Sequence, residues 1–207
     1  MPNLQHPARQ SMGVHFRQNT WIIIAVIAIL AVTAAVELWM GRLPLGPDGR
    51  FGLWEGNIWS SEQSQRFADP YTFSHVIHGM LFYAFLWLVA PQLPVRHRLV
   101  CALALEGAWE LLENSPLIIN RYRETTIALG YVGDSVFNSL SDIFFAGLGF
   151  LFTWRARIWL TIAAIVAMEI GTALTVRDNL TLNIIMLVHP VDAIKAWQTA
   201  GCPPPKS

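Results

Sequence analysis

Three glutamates set into one apolar helical run limit what this chain can become. Over Leu99–Asp142 the sequence reads LVCALALEGAWELLENSPLIINRYRETTIALGYVGDSVFNSLSD. Glu106, Glu110 and Glu113 fall at i, i+4 and i+7 and so share one narrow face of a helix. Asp134, Asn138 and Asp142, at i, i+4 and i+8, do the same on the next apolar run. An unpaired ionised side chain at a bilayer centre costs roughly 2.5–3.5 kcal/mol even on the mildest scale. Three on one span must therefore be protonated, paired with His or Arg, bound to a cation, or hydrated in a cavity.

Composition supports the membrane setting. Hydrophobic residues make up 54% of the 207 and charged residues 14%, against about 25% charged in soluble domains. The length suits one domain. Fourteen Lys and Arg balance fourteen Asp and Glu, so no net field attracts nucleic acid, and no basic patch suggests it. Cys101 and Cys202 are expected on opposite sides of the membrane, which argues against a disulfide, and their spacing matches no Cys-based metal motif.

The expected architecture is an all-α, polytopic membrane bundle of about five transmembrane helices with short C-terminal interfacial or re-entrant helices. Residues 1–20 form a polar tail, 21–200 a single membrane domain, and 201–207 a disordered tail. The first span is Trp21–Met40, about 20 apolar residues and long enough to cross. A cleaved signal peptide is the alternative, with Thr33–Ala34–Ala35 as its small-residue site, but the apolar run is too long and ends in Trp.

A Gly- and Pro-rich loop, Leu43–Asp69, follows. Its Trp54 and Trp59 are read as headgroup anchors, with a lid over the site as the alternative. Asp69–Pro70 marks a helix start for a second span ending before Pro91. The third span, Leu99–Asn114, stops at Ser115–Pro116. The fourth runs from Gly133–Asp134 to Trp154 and the fifth from Ile158 to Val176. LTLNIIMLV is too short to cross about 30 Å of hydrocarbon. The tail and the linkers carrying Arg96/Arg98 and Arg155/Arg157 fall on one side, which the positive-inside rule makes cytoplasmic and so places the N-terminus there.

Antiparallel spans turn sequence position into depth. Glu37, His75, His78, Glu110, Glu113, Asn114, Asp134, Asn138, Arg177 and Asp178 all fall toward the same, outer face, with Glu106, Asp142 and Glu169 deeper. Glu110, Glu113, His78, Asp134 and Asn138 are the candidate catalytic residues, weighed against interhelical hydrogen bonding as their bland role. Asp134 after Gly133 also reads as an ordinary N-cap. His75, His78, Glu106, Glu110 and Asp142 are the candidate ligands of a divalent cation. Arg121, Tyr122, Arg123 and Asn114 are candidate substrate-binding residues, the arginines for an anionic headgroup or, equally, as anchors to lipid phosphates. Ser135, Ser139, Ala146 and Gly149 point to close helix packing. Glu169 reads as structural, Arg177–Asp178 as an ion pair at the rim, and His189, Asp192 and Lys195 as the polar side of an interfacial helix.

The run EGAWELLENSPLIINRYRETTIALGYVGDSVFNSLSD, with DPYTFSHVIHGMLFY before it and RDNLTLNIIMLVHPVDAIKAWQ after it, closely resembles an uncharacterised family of bacterial inner-membrane proteins. The resemblance covers Asp69 to Gln198 and implies a multi-pass inner-membrane protein without naming an activity. More loosely, the order His78, Glu110, Arg121, Asp134 and Asn138 resembles that of VanZ-type membrane proteins, which implies a cell-envelope setting. Three functions stay open: an envelope enzyme, metal-dependent or acid/base, acting on a lipid or lipid-linked substrate; a lipid- or partner-binding accessory protein; and a proton-coupled carrier, against which the lack of an internal repeat argues.

Overall fold

In a computed structural model, residues 8–126 and 130–201 are described, with side chains from residue 20 onward. The first seven residues and Cys202 with the tail after it lie outside the described residues, and Cys101 is free and exposed. Among the described residues eight helices follow in order: α1 Ala8–Trp39, α2 Thr72–Val89, α3 Val95–Glu113, α4 Pro116–Thr125, α5 Val136–Arg155, α6 Ile158–Val176, α7 Leu180–Val188 and α8 Asp192–Thr199. No β-strand occurs among the described residues.

Four helical segments are long and apolar enough to cross a membrane: Thr20–Trp39, α2, α5 and α6, with mean hydropathies of 2.6, 1.4, 1.4 and 1.8. The fifth expected span is α3. It has 19 residues, as α6 does, but Arg96, Arg98 and the three glutamates keep it from reading as apolar. It runs antiparallel to α2. At one end the Arg98 guanidinium stacks 5.6 Å over the Tyr83 ring; at the other, His75 meets Glu106 at 2.7 Å. Arg98, Glu106 and Glu110 are buried within the bundle, where α3 packs against α1, α2 and α5.

Helix α5 is the hub: half of its span is buried, against 11% for the spans of α1 and α6. Its closest partner is α2. Side chains at Gly79 and Gly149 would run into the Ala146 and Val76 carbonyls, so the two backbones meet where those positions carry hydrogen alone. Small residues allow such an approach where no hydrophobic force drives helices together. Toward the far end Leu86, Ala102 and Phe150 form an apolar core with Tyr83, Val95 and Leu99 around it.

Helix starts follow local chemistry. Helix α1 extends back to Ala8, into the expected polar tail, because no proline interrupts the chain between Pro7 and Pro44. Helix α2 begins at Thr72 rather than at Pro70. Asp69 nevertheless caps it, its Oδ1 accepting the Tyr71 amide at 2.7 Å and the Thr72 amide at 3.3 Å, while Thr72 Oγ1 accepts the Asp69 amide at 3.0 Å. Ser115 and Ser135 cap α4 and α5 through their hydroxyls. Glu169 accepts the Leu180 and Thr181 amides, both at 3.1 Å, and so holds the start of α7; its expected structural role has this form.

The 43–69 loop lies across the start of α5. Val136 donates to the Leu43 carbonyl at 2.9 Å, Ser135 to that of Ser64 at 3.1 Å, and the Gln65 amide group to the Gly133 carbonyl at 2.9 Å. These bonds satisfy backbone groups that a helix start otherwise leaves open. Beneath them lies a cavity.

Candidate functional site

The cavity has a volume of about 510 Å³, within the range of small-molecule sites. The loop contributes Trp59 and Ser64, α2 contributes His75 and His78, α3 Trp109 and Glu113, and α5 Asn138 and Asp142. Tyr122 on α4, the 130–134 segment, Asp178 and Asn183 complete its walls. Among the described residues, no Lys or Arg lines it.

His75 is the centre of the polar group. Its Nδ1 lies 2.7 Å from Glu106 Oε1 and 3.2 Å from Glu110 Oε1, and its Nε2 faces Asp142 Oδ2 at 3.8 Å. His78 turns its Nδ1 to the same glutamate, 3.1 Å from Glu106 Oε1, and stands edge-on to Trp109 at 5.7 Å between ring centroids. Glu106 and Glu110 are fully buried behind the histidines and do not line the cavity. Neither carboxylate oxygen of Glu110 receives a well-formed hydrogen bond, nor does Asp142 Oδ1. The i, i+4 spacing on α3 thus brings two acids to one imidazole of the facing helix.

A second group fixes the entry of α5. Asn114, fully buried, donates to Asp134 Oδ2 at 3.0 Å and accepts the Asp134 amide at 2.6 Å. The Tyr131 hydroxyl donates to Asp134 Oδ1 at 2.8 Å. Burial raises the Asp134 carboxyl above its ordinary range, against the pull of that hydroxyl. Asn138 donates to the Arg66 carbonyl at 2.9 Å, which ties its side chain to the loop.

The third group closes the cavity from the C-terminal side. Asp178 accepts the Tyr71 hydroxyl at 3.0 Å, Asn183 Nδ2 at 3.0 Å, Gln198 Nε2 at 2.9 Å and the Asn179 amide at 2.9 Å. The expected Arg177–Asp178 ion pair is absent from this arrangement. Arg177, in a left-handed turn at φ 56°, instead donates to the Trp197 carbonyl at 3.0 Å. Burial pushes the Asp178 carboxyl up to about 6 despite its donors, and it does the same to Asp69, whose strongest opposing bond is the Tyr71 amide. Burial also raises the Tyr71, Tyr122 and Tyr131 phenols well above their usual range, so all three stay protonated donors.

His75, His78, Glu113, Tyr122, Asp134, Asn138 and Asp142 therefore stand on one cavity, with Glu106, Glu110 and Asn114 directly behind it. Arg121 and Arg123 do not join them. The first donates to the Leu187 carbonyl at 2.8 Å, tying α4 to α7, and the second to the Tyr131 carbonyl at 2.5 Å. Lys195 likewise reaches a carbonyl, that of Glu124, at 3.0 Å. Trp109, Tyr71 and Tyr131 were not singled out by spacing, since each is flanked by apolar or loop residues of no fixed period. Asp69 is legible in the sequence only as a helix cap, and Trp59 chiefly as a headgroup anchor.

The residues 37–200 match the model of a family described as "Protein of unknown function (DUF2585)". A "UPF0314 protein" of Sphingopyxis alaskensis is 51% identical over 181 residues, covering 87% of this chain and 95% of that protein. A Rhizobium johnstonii relative is 50% identical over 87% of this chain and 92% of its own length, and a Paracoccus denitrificans relative 48% identical over 85% and 91%. Both are also described as UPF0314 proteins. No solved structure matches the chain.

Proposed function

The chain belongs to the DUF2585 family, and from that premise we propose that this membrane protein is an enzyme of the bacterial envelope. It acts on a lipid or lipid-linked polar group that enters the cavity, with His75 and the acids around it as the reacting centre. The observation that carries this reading is one imidazole held between Glu106 and Glu110 at 2.7 and 3.2 Å, with Asp142 on its other nitrogen, in the wall of a cavity of about 510 Å³. Acids on either side of one imidazole fix the plane of its ring, which a metal-binding or an acid–base histidine requires.

Glue between helices is poor grounds for such a group. A hydrogen bond joining two helices needs one donor and one acceptor, whereas Glu110 and Asp142 keep oxygens with no donor. Unmet buried polar atoms cost free energy, and chemistry or a ligand is what such atoms serve. In this reading Asp134, held by Asn114 and Tyr131, and Asn138 orient the polar part of the substrate, while Trp59 and Trp109 flank it. The arginines take no part in binding it. Of the residues matched to the VanZ-type pattern, His78, Asp134 and Asn138 line the cavity and Arg121 does not, so that resemblance adds an envelope setting and no reaction.

The test is mass spectrometry of envelope lipids in a deletion strain. An accumulated lipid or lipid-linked precursor, removed by the wild-type gene and not by one encoding Glu110→Gln at equal membrane level, is the expected result. An unchanged lipid profile would favour an accessory protein that only binds.

A further inference from the structure

We propose that His75, Glu106 and Glu110 hold one divalent transition-metal ion, with His78 and Glu113 flanking it as further ligands. The inference rests on the reading of this site as a chemical centre and names its cofactor. Two groups that share His75 have all their donor atoms within 4.8 Å of one another: His75, His78 and Glu106, and His75, Glu110 and Glu113. A metal with bonds of about 2.0–2.2 Å sets its ligand atoms at most roughly 4.4 Å apart, so modest contraction closes either group around an ion.

Three further observations point to an ion rather than a self-sufficient hydrogen-bond group. Glu110 is fully buried and aimed at His75, and neither of its oxygens has a hydrogen-bond donor. His75 Nδ1 can carry only one proton, and Glu106 at 2.7 Å is the nearer acceptor. A cation at Nδ1 would serve both carboxylates at once. Behind the ring, Nε2 faces Asp142 at 3.8 Å, the orientation of a carboxylate that steadies a metal-bound imidazole from its far side.

Charge argues the same way. Glu106, Glu110 and Asp142 surround His75, and the only ion-pair partners of these acids among the described residues are His75 and His78. Against these three carboxylates one imidazolium leaves two negative charges uncompensated and a divalent cation leaves one, closer to the neutrality that burial favours. Two imidazoles among carboxylates select zinc, manganese or iron over magnesium and calcium, which favour oxygen alone.

The measurement is metal content and thermal stability of the full chain purified in detergent, first as isolated and then with added Mn²⁺ or Zn²⁺. About one equivalent per chain is expected, with a thermal midpoint that chelator lowers and the ion restores. Glu110→Gln and His75→Asn should each cut ion binding at least tenfold, while Asp192→Asn on α8 keeps it. Should His75→Asn fail to fold, Glu110→Gln, equal in size to the native residue, carries the test, its helicity checked by circular dichroism. Folded wild-type protein that binds neither ion, or Glu110→Gln protein that binds as well as wild type, would overturn the proposal. A bound ion together with unchanged envelope lipids would remove the enzymatic reading and leave this one standing. Altered lipids with no ion would do the reverse.

Discussion

The two ends of the same helices are built on opposite rules. Toward the far end, α2, α3 and α5 meet through Leu86, Ala102 and Phe150, with Phe150 wholly enclosed and edge-on to Tyr83 at 5.1 Å between ring centroids. At the cavity end those helices face one another through His75, Glu106, Glu110 and Asp142, where buried oxygens go without donors. Apolar packing adds stability atom by atom, whereas a partly satisfied polar group subtracts from it. The bundle is thus secured at one end and spends stability at the other, as a functional centre does.

That contrast can be broken by mutation. The largest loss is expected where backbones touch: Gly149→Leu, forced against the Val76 carbonyl, should cost about 3 kcal/mol or more and empty the membrane of folded protein on a quantitative blot. Phe150→Ala leaves a cavity in the far core and should cost about 3–5 kcal/mol, read as a lowered thermal midpoint in detergent. Tyr71→Phe removes one donor from Asp178 and should cost about 1 kcal/mol, read in the same assay. Asp178 accepts from four groups, which separates it from Glu110.

The pH dependence follows from Asp69 and Asp178. Each carboxyl titrates near 6 in the folded protein, against about 4 in the unfolded chain. The folded state therefore binds more protons between those values, and stability falls as pH rises from about 4 to 6, then levels. Thermal midpoints across that range should show this decline for wild type and a shallower one for Asp178→Asn. A midpoint that climbs over the same interval would show that these carboxyls are held ionised.

Much of this was legible from the chain. Apolar length marks the crossing helices, and antiparallel order brings Glu110 to the level of His75 and His78, whereas Glu106, expected deeper, meets His75 at 2.7 Å. Small residues on α5 correctly marked a close approach, though its partner Gly79 on α2 is visible only in the fold. What spacing does not reach are partners set by loops and by the short C-terminal helices. Arg121 and Arg123 look like anion ligands in the sequence, but the carbonyls that use them belong to Leu187 and Tyr131. Asp178 meets Gln198 only because α7 and α8 fold back, and the 43–69 loop, lacking any periodicity, offers both a headgroup anchor and a lid for Trp59, of which the cavity wall fits the second. Side chains whose partner lies on one of the long helices are readable from period and depth; those whose partner lies on a loop or on the short C-terminal helices are not.

The most direct measurement is the thermal midpoint of Glu110→Gln against wild type, both held in chelator. If Glu110 serves chemistry and not cohesion, removing its buried, undonated charge leaves the midpoint unchanged or raises it. A fall comparable to that of Phe150→Ala would make Glu110 part of what holds the bundle together and would contradict the account.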